Sequence, residues 1–324
     1  MFSQLIASAS RNVRLAANAM QGTTQARALH RQHLAMPNSA RAGIEEFDKR
    51  WPGIRRSEQA PVFILSAGWR SGSTLLQRLI TSDNLLVWGE PYCHSAPVQT
   101  MSRQFRAFND IWPHSEFFFD AHGTKSGDLA DSWVANLYPS PQAFADAHVS
   151  FFETFFSMPA KAAGFSDWGL KEVRLTIDDA CYLKWLFPNA KFLFLCRNPW
   201  DAWGSYRAWR RWYHDWPERP VLTATQFGKL WKKLAFDFSE FHRDVQGLLV
   251  RYEDLACEDT RSQLELYLGR PVQRSDELRR VDGRGGPGRK AAAYVPKLER
   301  ILLSRQVGDL VPTFGYRDSR SNPE

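Results

Sequence analysis

The run PVFILSAGWRSGSTLLQRLI, residues 61–80, constrains the fold more than any other stretch of the chain. It begins as an unbroken apolar segment with β-branched and aromatic content, which reads as a strand buried on both faces. It then bends through small residues and one arginine, and resumes with helical spacing. The turn, Gly68-Trp69-Arg70-Ser71-Gly72-Ser73-Thr74, carries what an anion needs. Glycines let the backbone approach closely. Successive N–H groups and the first turn of the helix present donors and a positive dipole end. Ser71, Ser73 and Thr74 add hydroxyls, and Arg70 adds a fixed charge with two-pronged geometry. The loop nearly fits the nucleoside-triphosphate pattern but lacks its GK[ST] ending. The missing lysine is the one that, with magnesium, serves triphosphate chemistry. A different phosphate ester is therefore expected.

Further apolar runs repeat the strand signal. KFLFLC (191–196) and GLLVRYEDL (247–255) read as strands, and WGLKEV (168–173) as another. Helical stretches lie between them: DDACYLKWLFP, ended by Pro188, and an amphipathic run from Thr225 to Asp244. This alternation predicts an α/β fold with a central, mostly parallel sheet flanked by helices. Ligands of such sheets gather at the carboxyl ends of the strands. There, Arg197 ends one strand, Pro199 suits the first turn of the next helix, and Ser205 lies inside that helix. Arg197 and Ser205 are expected to grip a further phosphate.

The 324 residues carry a net charge of +7, which suits an anionic ligand or surface. A nucleic-acid role is not expected, because the basic residues lack an aromatic-interleaved motif. Cys93, Cys181, Cys196 and Cys257 are scattered, without metal-ligand spacing, so no metal is expected and a reducing compartment is. No apolar run reaches membrane-spanning length. A cytoplasmic protein is expected, with peripheral membrane contact left open. Residues 1–42 bear five arginines and no acid. A packed arm or tail, a transit peptide and a surface-binding helix compete for them. The expected organisation is a basic extension over 1–59, a main domain over 60–318 with an aromatic-rich insert at 91–160, and a tail at 319–324.

With these motifs in hand, the chain resembles the sulfotransferase family that uses 3′-phosphoadenosine 5′-phosphosulfate (PAPS). GWRSGSTLLQRL resembles the family's 5′-phosphosulfate loop, in the Arg-Ser-Gly form of bacterial and tyrosylprotein members. RNPWDAWGSY resembles its 3′-phosphate motif, VRYEDL a short common segment, and FGYRD the usual C-terminal ending. The resemblance implies a P-loop-like sulfotransferase fold. It implies that Gly68, Arg70, Ser71, Gly72, Ser73 and Thr74 hold the phosphosulfate, that Arg197 and Ser205 hold the 3′-phosphate, and that 3′,5′-ADP is released. Two departures stand out. Trp69 replaces a frequent proline, and Leu75 stands where the cytosolic branch stacks a tryptophan on adenine.

Sulfuryl transfer to a hydroxyl needs a base, in-line geometry and a neutralised leaving phosphate. Glu90, in LLVWGEPY, is the expected base by likeness to tyrosylprotein and bacterial carbohydrate enzymes; His94 is the alternative. Arg70 and Lys171 are expected at the leaving group, with Lys171 paired to Glu172 as the competing reading. The basic, glycine-rich segment with Arg284 and Arg289 resembles a donor-covering loop in composition and position. Aromatics of the insert, with His94 and Trp209, point to a small-molecule or glycan acceptor, a carbohydrate or glycolipid first. The Trp200, Trp203, Trp209, Trp212, Trp216 stripe reads more readily as core than as platform. A P-loop kinase and a non-catalytic nucleotide- or glycan-binding module are the rival readings.

Overall fold

Every strand pairing in the sheet is parallel. The computed structural model describes residues 17–28, 37–92, 95–119, 137–209, 221–274 and 295–317. Five strands lie in the order β2-β3-β1-β4-β5: β1 (Val62–Ser66), β2 (Leu85–Trp88), β3 (Asp167–Glu172), β4 (Lys191–Cys196) and β5 (Leu248–Arg251). The expected α/β class is observed. The strand β2, formed by LLVW just before the candidate base Glu90, is an addition to the strands expected from the sequence.

Alternation along β1 separates two kinds of packing. Val62 and Ile64 join Leu76, Leu79, Leu193 and Val250 in an aliphatic cluster. Phe63 faces the other way and meets the rings of Trp168, Phe187 and Phe192. All of β1 is buried, which is why its sequence runs apolar without a polar alternate. Gly169 lets β3 come close, since a Cβ there would lie 2.5 Å from the Val62 carbonyl oxygen.

After a helical run over 17–28 come α1 (Ala40–Arg50), α2 (Ser73–Ile80), α3 (Pro97–Arg103), α4 (Pro141–Phe152), α5 (Met158–Ala162), α6 (Ile177–Leu186), α7 (Pro199–Trp209), α8 (Ala224–Phe241), α9 (Glu258–Leu268) and α10 (Lys297–Val307). A π-helical turn, Glu153–Ser157, joins α4 to α5. Reciprocal capping boxes start α6 (Thr176 with Asp179) and α8 (Thr223 with Gln226). None of the helices among the described residues is long and apolar enough to cross a membrane.

The chain divides into two compact units, residues 1–53 with 103–140 and residues 54–102 with 141–324. In the first, Phe47 and Trp51 pack against Phe108, and Phe47 also against Phe105. Gly43 of α1 allows this approach, because a Cβ would fall 1.9 Å from the Phe105 carbonyl oxygen. Phe105 and Phe108 are thus core residues of this unit, which corrects their reading as part of an acceptor surface. The sheet and every site residue discussed below belong to the second unit.

Candidate active site

Register brings the motifs to one edge. Leu65 lies beside Glu172 and Phe194, and Ser66 beside Leu195, so the exits of β1, β3 and β4 are level. The loop leaving β1 alternates in hand: φ is +85° at Gly68, +62° at Arg70 and +89° at Gly72. Alternation of this kind turns successive N–H groups toward one concavity, a nest for an anion. Arg70 has a Cβ and adopts this conformation at a cost, which the loop's ties must offset. The Ser71 side chain is buried, and its Oγ has no hydrogen-bond partner among the described residues. Gly72 caps α2, and a Cβ on it would stand 2.1 Å from the ring of Tyr252. Ser73 is buried and Thr74 exposed at the start of that helix.

The second motif meets the first directly. Arg70 Nε donates to Ser205 Oγ at 2.9 Å. Arg197 Nη1 donates to the Arg70 carbonyl at 2.8 Å. The Arg197 guanidinium lies 4.2 Å from the centre of the Tyr252 ring, a cation–π seat, and its Nε is buried without a partner among the described residues. Trp231 Nε1 fixes the Arg197 carbonyl at 2.9 Å. The next residue, Asn198, donates its backbone N–H to Glu253 Oε1 at 2.8 Å and its side-chain amide to the Arg317 carbonyl at 2.9 Å. Four segments read separately in the sequence are therefore one bonded assembly. Tyr252 was missed as a site residue. Its signal was the short VRYEDL segment, but nothing in that string tells that its ring braces both Gly72 and Arg197.

Glu90 and Lys171 also come together. Lys171 Nζ donates to Glu90 Oε1 at 2.6 Å, with the lysine side chain 8% and the glutamate 27% exposed. Trp88 pairs with Leu170, so Glu90, just beyond β2, reaches the exit of β3. Adjacent strand residues face opposite ways. Glu172 accordingly turns inward and chelates the Arg174 guanidinium, so the Lys171–Glu172 pair weighed from sequence does not form. Burial raises the Glu172 pKa, and the Arg174 hydrogen bonds oppose that rise. Arg174 is engaged there.

Trp69 is buried and lies 5.6 Å from Tyr206, ring to ring. Trp200 and Trp203 are core residues that donate to Ser304 and Glu299. Trp209 closes α7; its side chain, and His94, Trp212, Trp216, Arg284 and Arg289, lie outside the described residues.

A family model described as the sulfotransferase family matches residues 61–271, about two thirds of the chain. The chain belongs to the sulfotransferase family. The matched span holds the anion loop, Glu90, Lys171, Arg197, Ser205 and Tyr252. No curated protein matches the sequence. Among solved structures, the chain is similar to a sulfotransferase domain from the curacin biosynthetic pathway (17% identity, 79% of this chain and 99% of that one, TM-score 0.44). It is also similar to a sulfotransferase from Alicyclobacillus acidocaldarius (18%, 80% and 97%, TM-score 0.38). A third is a mouse sulfotransferase solved with PAP (12%, 85% and 92%, TM-score 0.37). These backbone likenesses are loose, and the family assignment rests on the sequence match.

Proposed function

We propose that this sulfotransferase family member moves the sulfuryl group of PAPS to an acceptor hydroxyl. One observation carries the reading: two buried polar atoms without partners among the described residues, Ser71 Oγ and Arg197 Nε, belong to two motifs joined at one sheet edge. A donor with phosphates at both its 5′ and 3′ positions supplies oxygens for both. Gly68, Arg70, Ser71, Gly72, Ser73 and Thr74 cradle the 5′-phosphosulfate. Arg197 and Ser205 take the 3′-phosphate.

When bound, the donor supplies an activated sulfuryl group whose S–O bond to phosphate breaks as the acceptor oxygen bonds to sulfur. Glu90 accepts the hydroxyl proton. Lys171 holds the Glu90 carboxylate in place in the resting arrangement, and with Arg70 it offsets the charge that collects on the leaving 3′,5′-ADP. The residues do this work without a metal ion. The carbohydrate or glycolipid acceptor expected from the aromatic insert has lost part of its support, because Phe105 and Phe108 are core.

Calorimetry with 3′,5′-ADP, ADP and ATP, with magnesium and with EDTA, tests this. Preference for 3′,5′-ADP that persists in EDTA is expected. Preference for ATP with magnesium would replace the reading with the kinase one.

A further inference from the structure

The ending FGYR, residues 314–317, supplies none of the groups assigned to the donor, yet it is built into the support of Arg197. Gly315 closes a short 3-10 turn at φ +65°, a left-handed position suited to glycine. The turn sets Phe314 and Tyr316 ring to ring, 5.6 Å apart at 8°. Both rings reach Trp231 of α8, at 5.9 and 6.3 Å. Arg251 of β5 flanks the pair, its guanidinium 5.1 Å from the centre of the Tyr316 ring. Tyr316 is buried, and its hydroxyl has no hydrogen-bond partner among the described residues. The ring, rather than the hydroxyl, makes the contacts.

What the ending supports is the main chain just past β4. The pairing of β4 with β5 stops at Cys196, opposite Arg251. The Arg197 carbonyl and the Asn198 N–H lie beyond that ladder, so other groups must hold them. Trp231 donates to the Arg197 carbonyl, Glu253 accepts from the Asn198 N–H, and the Arg317 carbonyl accepts from the Asn198 side chain. Two of these three ties come from the ending or from the indole it packs. A long arginine side chain loses its aim when its main chain is loose, because every freed torsion spreads the charge over more positions. Arg197 has two narrow targets, the Arg70 carbonyl at 2.8 Å and the Tyr252 ring at 4.2 Å. A small shift of its backbone weakens both, since hydrogen bonds fall off steeply with geometry.

We infer that Trp231 and Tyr316 are positioning residues that set the nucleotide preference of the site. The C-terminal ending holds Trp231, Trp231 holds the Arg197 carbonyl, and the arginine is thereby aimed to distinguish a 3′-phosphorylated nucleotide from one without that group. This rests on the assignment of Arg197 to the 3′-phosphate. Both residues act through Arg197 rather than on the donor. A staple that only stabilised the fold would lower the melting temperature and leave the preference alone. A positioning element changes the preference itself.

Affinities for 3′,5′-ADP and 5′-AMP should be measured by calorimetry on the full chain, with the ratio of 5′-AMP Kd to 3′,5′-ADP Kd as the readout. Trp231→Phe keeps a ring and removes the indole N–H; it should lower the ratio about fivefold, the worth of one hydrogen bond. Tyr316→Ala should lower it by a similar factor, while Tyr316→Phe keeps the wild-type ratio. Phe187→Leu, a core change against Phe63, should lower the melting temperature and leave the ratio unaltered. In an Arg197→Ala background, Trp231→Phe should have no further effect on the ratio. Wild-type ratios in both Trp231→Phe and Tyr316→Ala overturn the inference. So does a loss in Tyr316→Phe equal to that in Tyr316→Ala, or a full Trp231→Phe effect in the absence of Arg197. If Tyr316→Ala does not fold, Trp231→Phe and its double variant decide alone. A wild-type ratio in Arg197→Ala itself would instead defeat the 3′-phosphate assignment, and this inference with it.

Discussion

Arg70 and Ser205 stand 135 positions apart in sequence, yet the guanidinium of one donates to the hydroxyl of the other at 2.9 Å. The loop proposed to hold the 5′ end of the donor and the helix proposed to hold its 3′ end are thus already in contact. Arg197 adds the second tie through the Arg70 carbonyl. Arg197→Ala should weaken 3′,5′-ADP binding by roughly 10- to 100-fold, the worth of a charged hydrogen-bonding group. Binding of 5′-AMP should change far less. Equal losses for both nucleotides would take Arg197 out of the 3′-phosphate role.

Glu90→Gln keeps the shape of the side chain and removes its proton-accepting charge. Turnover should fall about 10²- to 10⁴-fold, with 3′,5′-ADP affinity nearly unchanged. Lys171→Met should also lower kcat, because it releases the carboxylate it now holds at 2.6 Å. Wild-type turnover in Glu90→Gln would move the search for the base to His94.

Two glycines of the anion loop separate strain from crowding. Gly68 has φ +85° and open space around a prospective Cβ; Gly72 has φ +89° and the Tyr252 ring in the way. Gly68→Ala should cost about 1–2 kcal/mol of left-handed strain. Gly72→Ala carries that cost plus displacement of Tyr252, and with it the seat of Arg197. Thermal unfolding should show the larger drop for Gly72→Ala, and this variant should also suffer the larger loss of 3′,5′-ADP binding. Equal behaviour of the two would remove Tyr252 as a brace.

His148 is buried, with Nδ1 2.8 Å from the Tyr182 hydroxyl, and desolvation lowers its pKa to about 4. The unfolded chain binds a proton near pH 6.5. Between these values the unfolded state holds more protons, so stability rises with pH across the window and falls as pH drops through it. The loss is on the order of 3 kcal/mol between pH 6.5 and 4. Buried Glu172 and Asp179 have raised pKa values and contribute with the opposite sign. The comparison must therefore be with His148→Gln: urea melts at pH 7 and 4.5 should show a smaller pH dependence in the variant. An unchanged difference would refute the histidine's part.

The loop at 68–74 was legible because glycine spacing and a preceding apolar strand state a backbone requirement locally. Arg197 and Ser205 were legible for the same reason, one at a strand end and the other in a helix opened by proline. Glu90 and Lys171 were each picked out, but not as a pair, since only the β2–β3 register brings them together. Tyr252 was hidden because its ring contacts with Gly72 and Arg197 depend on tertiary packing. The insert misled for the complementary reason: aromatic richness is the same in a platform and in a core, and Phe105 and Phe108 lie in the core.

The pairing of Phe63 with Phe192 spans about 130 residues of chain. The anion loop is synthesised early, but its flanking strands β3 and β4 and its brace Tyr252 come much later. A nascent chain on the ribosome therefore carries the complete loop sequence long before it has a nucleotide site. Closure of so long a loop precedes any reward from the contacts it brings. Donor affinity in a series of stalled chains should thus arise in one late step, once the VRYEDL segment has left the exit tunnel.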